Sequence, residues 1–147
     1  MPVFIWGNGA CSADGTSAQN FLKQIASFGF LAISAGRPGQ GGSSTVDWMR
    51  EAVNWAANGG SSGYNIDPKR IMVGGYSCGG TEAYDFINDD RVASIGIFNS
   101  GLLSNYDSAR TIRKPVLFAL GGPSDIAYGN VGSLYPRLAE ASPSSCN

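Results

Sequence analysis

The stretch Arg70-Ile71-Met72-Val73-Gly74-Gly75-Tyr76-Ser77-Cys78-Gly79-Gly80 decides the fold. An apolar run drives into a G-x-S-x-G turn and then into a segment able to form a helix, which is the layout of a nucleophile elbow. Gly75 and Gly79 flank Ser77, so the backbone can fold tightly and lift the hydroxyl clear of a sheet. Ser77 is the candidate nucleophile; the alternative is a bare glycine turn. Before it, Asn65-Ile66-Asp67-Pro68-Lys69-Arg70 closes a loop, and after it Gly79-Gly80 offers side-chain-free backbone for close packing beneath the elbow. The chain contains no histidine, the usual base for such a serine.

Working outward, short apolar runs at 3–6, 30–34, 71–75, 94–98 and 116–120 read as strands. Their near-continuous apolar character suits parallel strands buried on both faces. Helical patterns fall between them. The segment 17–28 carries Phe21, Ile25 and Phe28 on one stripe, and 45–57 carries Val46, Met49 and Val53 on one face with Trp48, Ala52 and Trp55 beside it. These aromatic stripes are assigned to the core. Ser44 with Asp47 resembles a capping box, and Asn58-Gly59 is a stop signal. Helices over 79–88 and 131–141 complete the alternation, and 142–147 is a polar tail. The expected architecture is α/β, a doubly wound, mostly parallel five-stranded sheet in the order 2-1-3-4-5 with helices on both faces. The glycine-rich runs at 36–42, 59–63, 74–80 and 121–122 mark turns at the sheet's ends.

The 147 residues are expected to form one domain with a real core. A net charge of −1, with 14% charged residues and no basic run, leaves little to neutralise phosphates, so nucleic acid and anionic membrane are set aside. No apolar stretch reaches the length of a membrane span, and no basic leader precedes residue 3. With neither histidine nor clustered cysteine, no transition-metal site is expected, and no cofactor. A nucleotide-binding module is the rival from another class, since Gly7-x-Gly9 follows the first strand. Ser12 stands where the third glycine of G-x-G-x-x-G belongs, and no acidic residue ends the second strand.

Acyl transfer at Ser77 would need donors for an oxyanion. The first is the backbone N–H of Cys78. The second is sought in Gly7-Asn8-Gly9-Ala10-Cys11, after the first strand, with Ala10 the first choice and Gly9 or Cys11 next; a plain glycine turn is the alternative. Asp125, in Gly121-Gly122-Pro123-Ser124-Asp125 after the fifth strand, is the candidate acid, or else a cap or turn residue. Trp6 and Tyr76, apolar neighbours, hint at an ester with an apolar portion. Lys23, Lys69 and Lys114 are the only lysines, and none is well placed to replace histidine.

WGNGAC, GGSST, NIDPKRI, GYSCGG, FNSGLL and GGPSD, in this order and spacing, resemble the α/β-hydrolase superfamily. They are most similar to small secreted fungal and bacterial serine hydrolases related to dienelactone-hydrolase-type and cutinase-like esterases. The resemblance implies ester hydrolysis through an acyl-enzyme on Ser77, an oxyanion hole of Cys78 and Ala10, Asp125 orienting a histidine, a small-molecule ester substrate and a secreted protein. It also implies further strands ahead of residue 3 and a histidine after a further strand, so the sequence reads as a central part of such a domain. That histidine would come from an additional segment or a second chain; a binding protein without the base is the alternative. Cys11 and Cys78 would then lie at the ends of neighbouring strands, within bonding range, leaving Cys146 over; three reduced thiols are the alternative.

Overall fold

The computed structural model describes residues 1–61, 63–102, 106–125 and 127–129. The helix expected over 131–141, the tail and Cys146 lie outside the described residues. Five strands, β1 (Val3–Gly7), β2 (Leu31–Ser34), β3 (Ile71–Tyr76), β4 (Val92–Phe98) and β5 (Val116–Ala119), form one sheet in the order β2-β1-β3-β4-β5. Every pairing is parallel. The expected architecture and order are both present.

Among the described residues three helices cover the sheet: α1 (Gln19–Ser27), α2 (Val46–Ala57) and α3 (Cys78–Ala83), the last continuing as a 3-10 turn at Tyr84–Phe86. On one face, Val3, Ile5, Val73, Ile95 and Ile97 pack with Met49 and Val53 of α2 and Ala83 of α3. On the other, Phe4 and Trp6 pack with Leu22, Phe21 and Ile25 of α1. Alternate residues of β1 thus serve opposite cores, which is why the strand reads as a continuous apolar run.

Three local expectations change. Phe28 lies just past α1 and is 72% exposed, so the buried stripe of that helix is Phe21, Leu22 and Ile25. Thr45, not Ser44, stands at the N-cap of α2, and its side chain makes no capping bond. Trp48 and Trp55 are only half-buried and line an open groove of about 850 Å³ between β2 and α2, away from Ser77. The stop at Asn58 holds: it is the C-cap of α2, its N–H donates to the Asn54 carbonyl, and Gly59 follows with φ of 86°. No helix among the described residues is long and apolar enough to cross a membrane.

Candidate active site

Because all five strands run the same way, the segments following β1, β3, β4 and β5 gather at one edge of the sheet. Gly7 pairs with Gly75, Tyr76 with Phe98, and Phe98 with Ala119. The candidate residues Ala10, Cys11, Ser77, Cys78 and Asp125 therefore all belong to this edge, one to six residues beyond strand ends that lie side by side in the sheet.

Ser77 links β3 to α3 with φ of 52° and ψ of −114°, outside the regions a non-glycine residue ordinarily occupies. Such a conformation costs on the order of 1–3 kcal/mol and persists only where the surroundings over-determine it. Here they do. The Ser77 N–H donates to the Phe98 carbonyl at 3.0 Å, and the Ser77 carbonyl accepts from the Ser100 hydroxyl at 2.7 Å and the Thr81 N–H at 3.1 Å. The turn closes only because its glycines lack side chains. A Cβ on Gly79 would stand 2.1 Å from the Gly7 carbonyl oxygen, and one on Gly75 would stand 2.1 Å from that of Gly79. The lead-in is fixed as well, since Asp67 accepts from the Lys69 N–H at 3.0 Å and the Arg70 guanidinium at 2.7 Å. These contacts, the Lys69 amide foremost, hold its carboxyl below the usual carboxylate range.

The segment after β1 is a single 3-10 turn at Gly9–Cys11, with Ala10 and Cys11 at φ of 52° and 46°. Asn8, fully buried, organises it. Its side-chain amide lies within 3.1 Å of the carbonyls of Ser12, Asp14 and Ala35, and its oxygen accepts from Ser34 Oγ. Ser44 donates both its N–H (2.7 Å) and its hydroxyl (3.1 Å) to the Cys11 carbonyl, which is its role in place of a helix cap. The Gly79 N–H donates to the Asn8 carbonyl at 3.0 Å, and a Cys11–Cys78 disulfide, with Cα atoms 5.2 Å apart, joins loop and elbow covalently. Ala10 is exposed on this loop, and Cys78, first residue of α3, has no residue within the helix to accept its N–H. The Tyr76 ring lies over Gly9 and is 46% exposed. Trp6, in contrast, is buried against Phe21 and Phe98, with ring centroids 4.9 and 5.3 Å away, so it belongs to the core and not to a substrate surface.

Asp125 lies in the turn after β5. Its carboxylate accepts from the Ala127 N–H at 2.8 Å, and its Oδ2 and the amide of Asn99, just past β4, flank the same side of Gly121. Asn99 has φ of 44° and its N–H donates to the Ala119 carbonyl at 2.7 Å. Lys114 sits at the opposite edge, donating to the carbonyls of Phe86, Asp89 and Val92, and Lys69 precedes β3 at that same edge. Neither amine stands beside Ser77.

Four residues beneath the site have roles that the sequence reading did not assign: Asn8, Ser44, which reads as a helix cap, Ser100 and Glu82. The Glu82 carboxyl points at the disulfide, with Oε1 3.6 Å from Cys11 Sγ and Oε2 buried without a partner among the described residues. Burial, and then the charge of Asp85, push its carboxyl above the usual range.

No family model and no curated protein matches the chain. Solved structures do. A provisional dienelactone hydrolase from Klebsiella pneumoniae subsp. pneumoniae superimposes with a TM-score of 0.71 at 15% identity, over 96% of this chain and 70% of that one. An esterase of Pyrococcus furiosus gives 0.68 at 15% identity, over 95% and 69%. A thermostable esterase gives 0.63 at 16%, over 95% of this chain but 44% of its own length. At such identities the likeness concerns the fold, which is that of α/β hydrolases.

Proposed function

We propose that this chain carries the nucleophile half of a serine hydrolase acting on carboxylic esters of small molecules. In this reading Ser77 attacks the ester carbonyl, and the N–H groups of Cys78 and Ala10 receive the oxyanion. Asp125 orients an imidazole that the 147 residues do not contain. The observation that supports it is Ser77 itself: a non-glycine residue at φ 52° on a strand-to-helix turn, with glycines giving way around it. A backbone outlier of this kind is costly, and lifting a hydroxyl above the sheet edge is a reason to keep it. Tyr76, exposed beside the hydroxyl, would meet an apolar part of the substrate.

Without the base, acylation is slow. In serine proteases lacking one triad member, oxyanion contacts and binding alone leave roughly 10³–10⁴-fold catalysis over water. The test is to expose the chain to a fluorophosphonate, and to assay p-nitrophenyl acetate with and without added free imidazole, beside Ser77→Ala. Slow labelling of Ser77, and hydrolysis raised by imidazole above the reagent's own rate only when Ser77 is present, are expected. Identical labelling and turnover in Ser77→Ala would sink the reading. The missing histidine favours one second reading, a hydrolase-like protein that binds esters without turnover; saturable ester binding with no Ser77 labelling in the presence of imidazole would establish it.

A further inference from the structure

We propose that Cys11, Cys78 and Glu82 form a thiol–disulfide exchange site, at which an external small thiol opens the Cys11–Cys78 bond, Glu82 supplies the proton taken up by Cys11, and the loop after β1 is released from the elbow. Three observations meet here. The disulfide joins two segments that are also tied by the Gly79 N–H to Asn8 carbonyl bond, and both cysteines are only half-buried, so a thiol from solvent can reach them. Cys78 and Glu82 stand four residues apart on α3, one turn above the other on the same face, so the carboxyl is aimed at the bond. Glu82 Oε1 lies 3.6 Å from Cys11 Sγ, a sulfur with no proton of its own in the disulfide, so any hydrogen in that contact comes from the carboxyl.

The surroundings favour that proton. Among the described residues Oε2 is buried without a partner, and the charged neighbour that acts on Glu82 is Asp85, of its own sign. Arg50, the cation bonded to Asp85, is shared with Asp47. Burial and the Asp85 charge therefore favour the neutral acid.

The chemistry balances. A thiolate RS⁻ attacks Cys78 Sγ; the S–S bond breaks, its electron pair goes to Cys11 Sγ, and Cys11 takes the Glu82 proton. The products are a mixed disulfide R–S–S–Cys78, a Cys11 thiol and a Glu82 carboxylate. A second thiolate attacks the external sulfur, RSSR leaves, and Cys78 departs as a thiolate that solvent protonates. Attack at Cys78 is the favoured direction because the better-assisted leaving group is the sulfur beside the acid. Opening removes the covalent hold on Ala10 and Cys11, whose left-handed backbone (φ 52° and 46°) then relaxes.

The test uses the full chain in a Cys146→Ser background, so that only Cys11 and Cys78 release thiols. With β-mercaptoethanol near pH 6.5, Glu82→Gln is expected to slow thiol release about a hundredfold, the low end of general acid assistance. Tyr84→Phe, which alters a neighbouring buried group on the same helical stretch without touching the carboxyl, is expected to keep the rate. In hydrogen exchange, opening should increase exchange at 9–12 while α2 stays protected. Equal rates in Glu82→Gln, an equal slowing in Tyr84→Phe, or an unchanged loop after opening would each overturn the proposal. None of these readings involves an ester, so they stand or fall separately from the Ser77 test.

Discussion

The segments after β1 and after β5 reach the same edge of the sheet but are held in opposite ways. The first is anchored across long sequence distances: Asn8 to Ala35, Cys11 to Ser44, and Cys11 to Cys78 by a covalent bond. The second is held in its described part by local contacts, Asp125 N–H to the Gly122 carbonyl, Tyr128 N–H to the Asp125 carbonyl, and Ala127 N–H to the Asp125 carboxylate. Where a donor must meet developing charge, pre-set backbone geometry is worth most, because nothing has to reorganise at the moment of reaction. The elbow and the β1 loop are pre-set in that sense, as the proposed oxyanion role requires. The Asp125 turn is held only by its own neighbours in the chain.

The strongest way to break this contrast is Gly79→Ala. Its Cβ would meet backbone, not a side chain that can swing away, so a loss above about 4 kcal/mol or failure to fold is expected in urea denaturation. Wild-type stability would show that α3 can lift off β1 at little cost. Next comes Asn8→Ala, which takes the side-chain amide away from the buried Ala35 carbonyl and the half-buried carbonyls of Ser12 and Asp14. It should cost about 3 kcal/mol. Asp125→Ala removes only a local turn bond and should cost at most about 1 kcal/mol. A loss as large as that of Asn8→Ala would erase the difference between the two segments.

The smallest effect sharpens the contrast through pH. The folded state raises the Glu82 carboxyl above its ordinary value of 4.5, so Glu82 favours folding at low pH and loses that contribution as pH rises through the folded value. Glu82→Gln has no proton to lose. It should match the wild-type melting temperature near pH 4 and exceed it by about 2 °C at pH 8. An advantage that is the same at both pH values would mean that the carboxyl is not the cause.

Most of the fold was legible because its signals are local. Apolar runs bounded by glycine mark strands, and the strand order follows from parallel crossovers of fixed hand. The elbow too is a local device, since G-x-S-x-G encodes a backbone that only those glycines permit. Errors fell where one residue's fate depends on a distant neighbour. Phe28 completes a helical stripe on paper, yet it lies one residue past the end of α1 and faces water. Trp48 and Trp55 pack on α2's apolar side, but β2, to their flank, is the last strand of the sheet and leaves a groove there.

By itself, then, the sequence determined the α/β layering, the sheet order and the strand-to-helix turn at Ser77, because each rests on periodicity or glycine placement; it left the cysteines open between a Cys11–Cys78 bond and three thiols. Only the tertiary structure decided what holds the site. Ser44 looks like a helix cap and instead clamps the Cys11 carbonyl 33 residues away; Ser100 looks like a loop residue and fixes the Ser77 carbonyl across 23. Glu82, inside the segment 79–88 read only as a helix, comes to rest against a sulfur 71 residues away. The physical reason is that a polar side chain carries the same donors and acceptors wherever it sits, and its partner is chosen by which backbone groups the packed core leaves unpaired beside it.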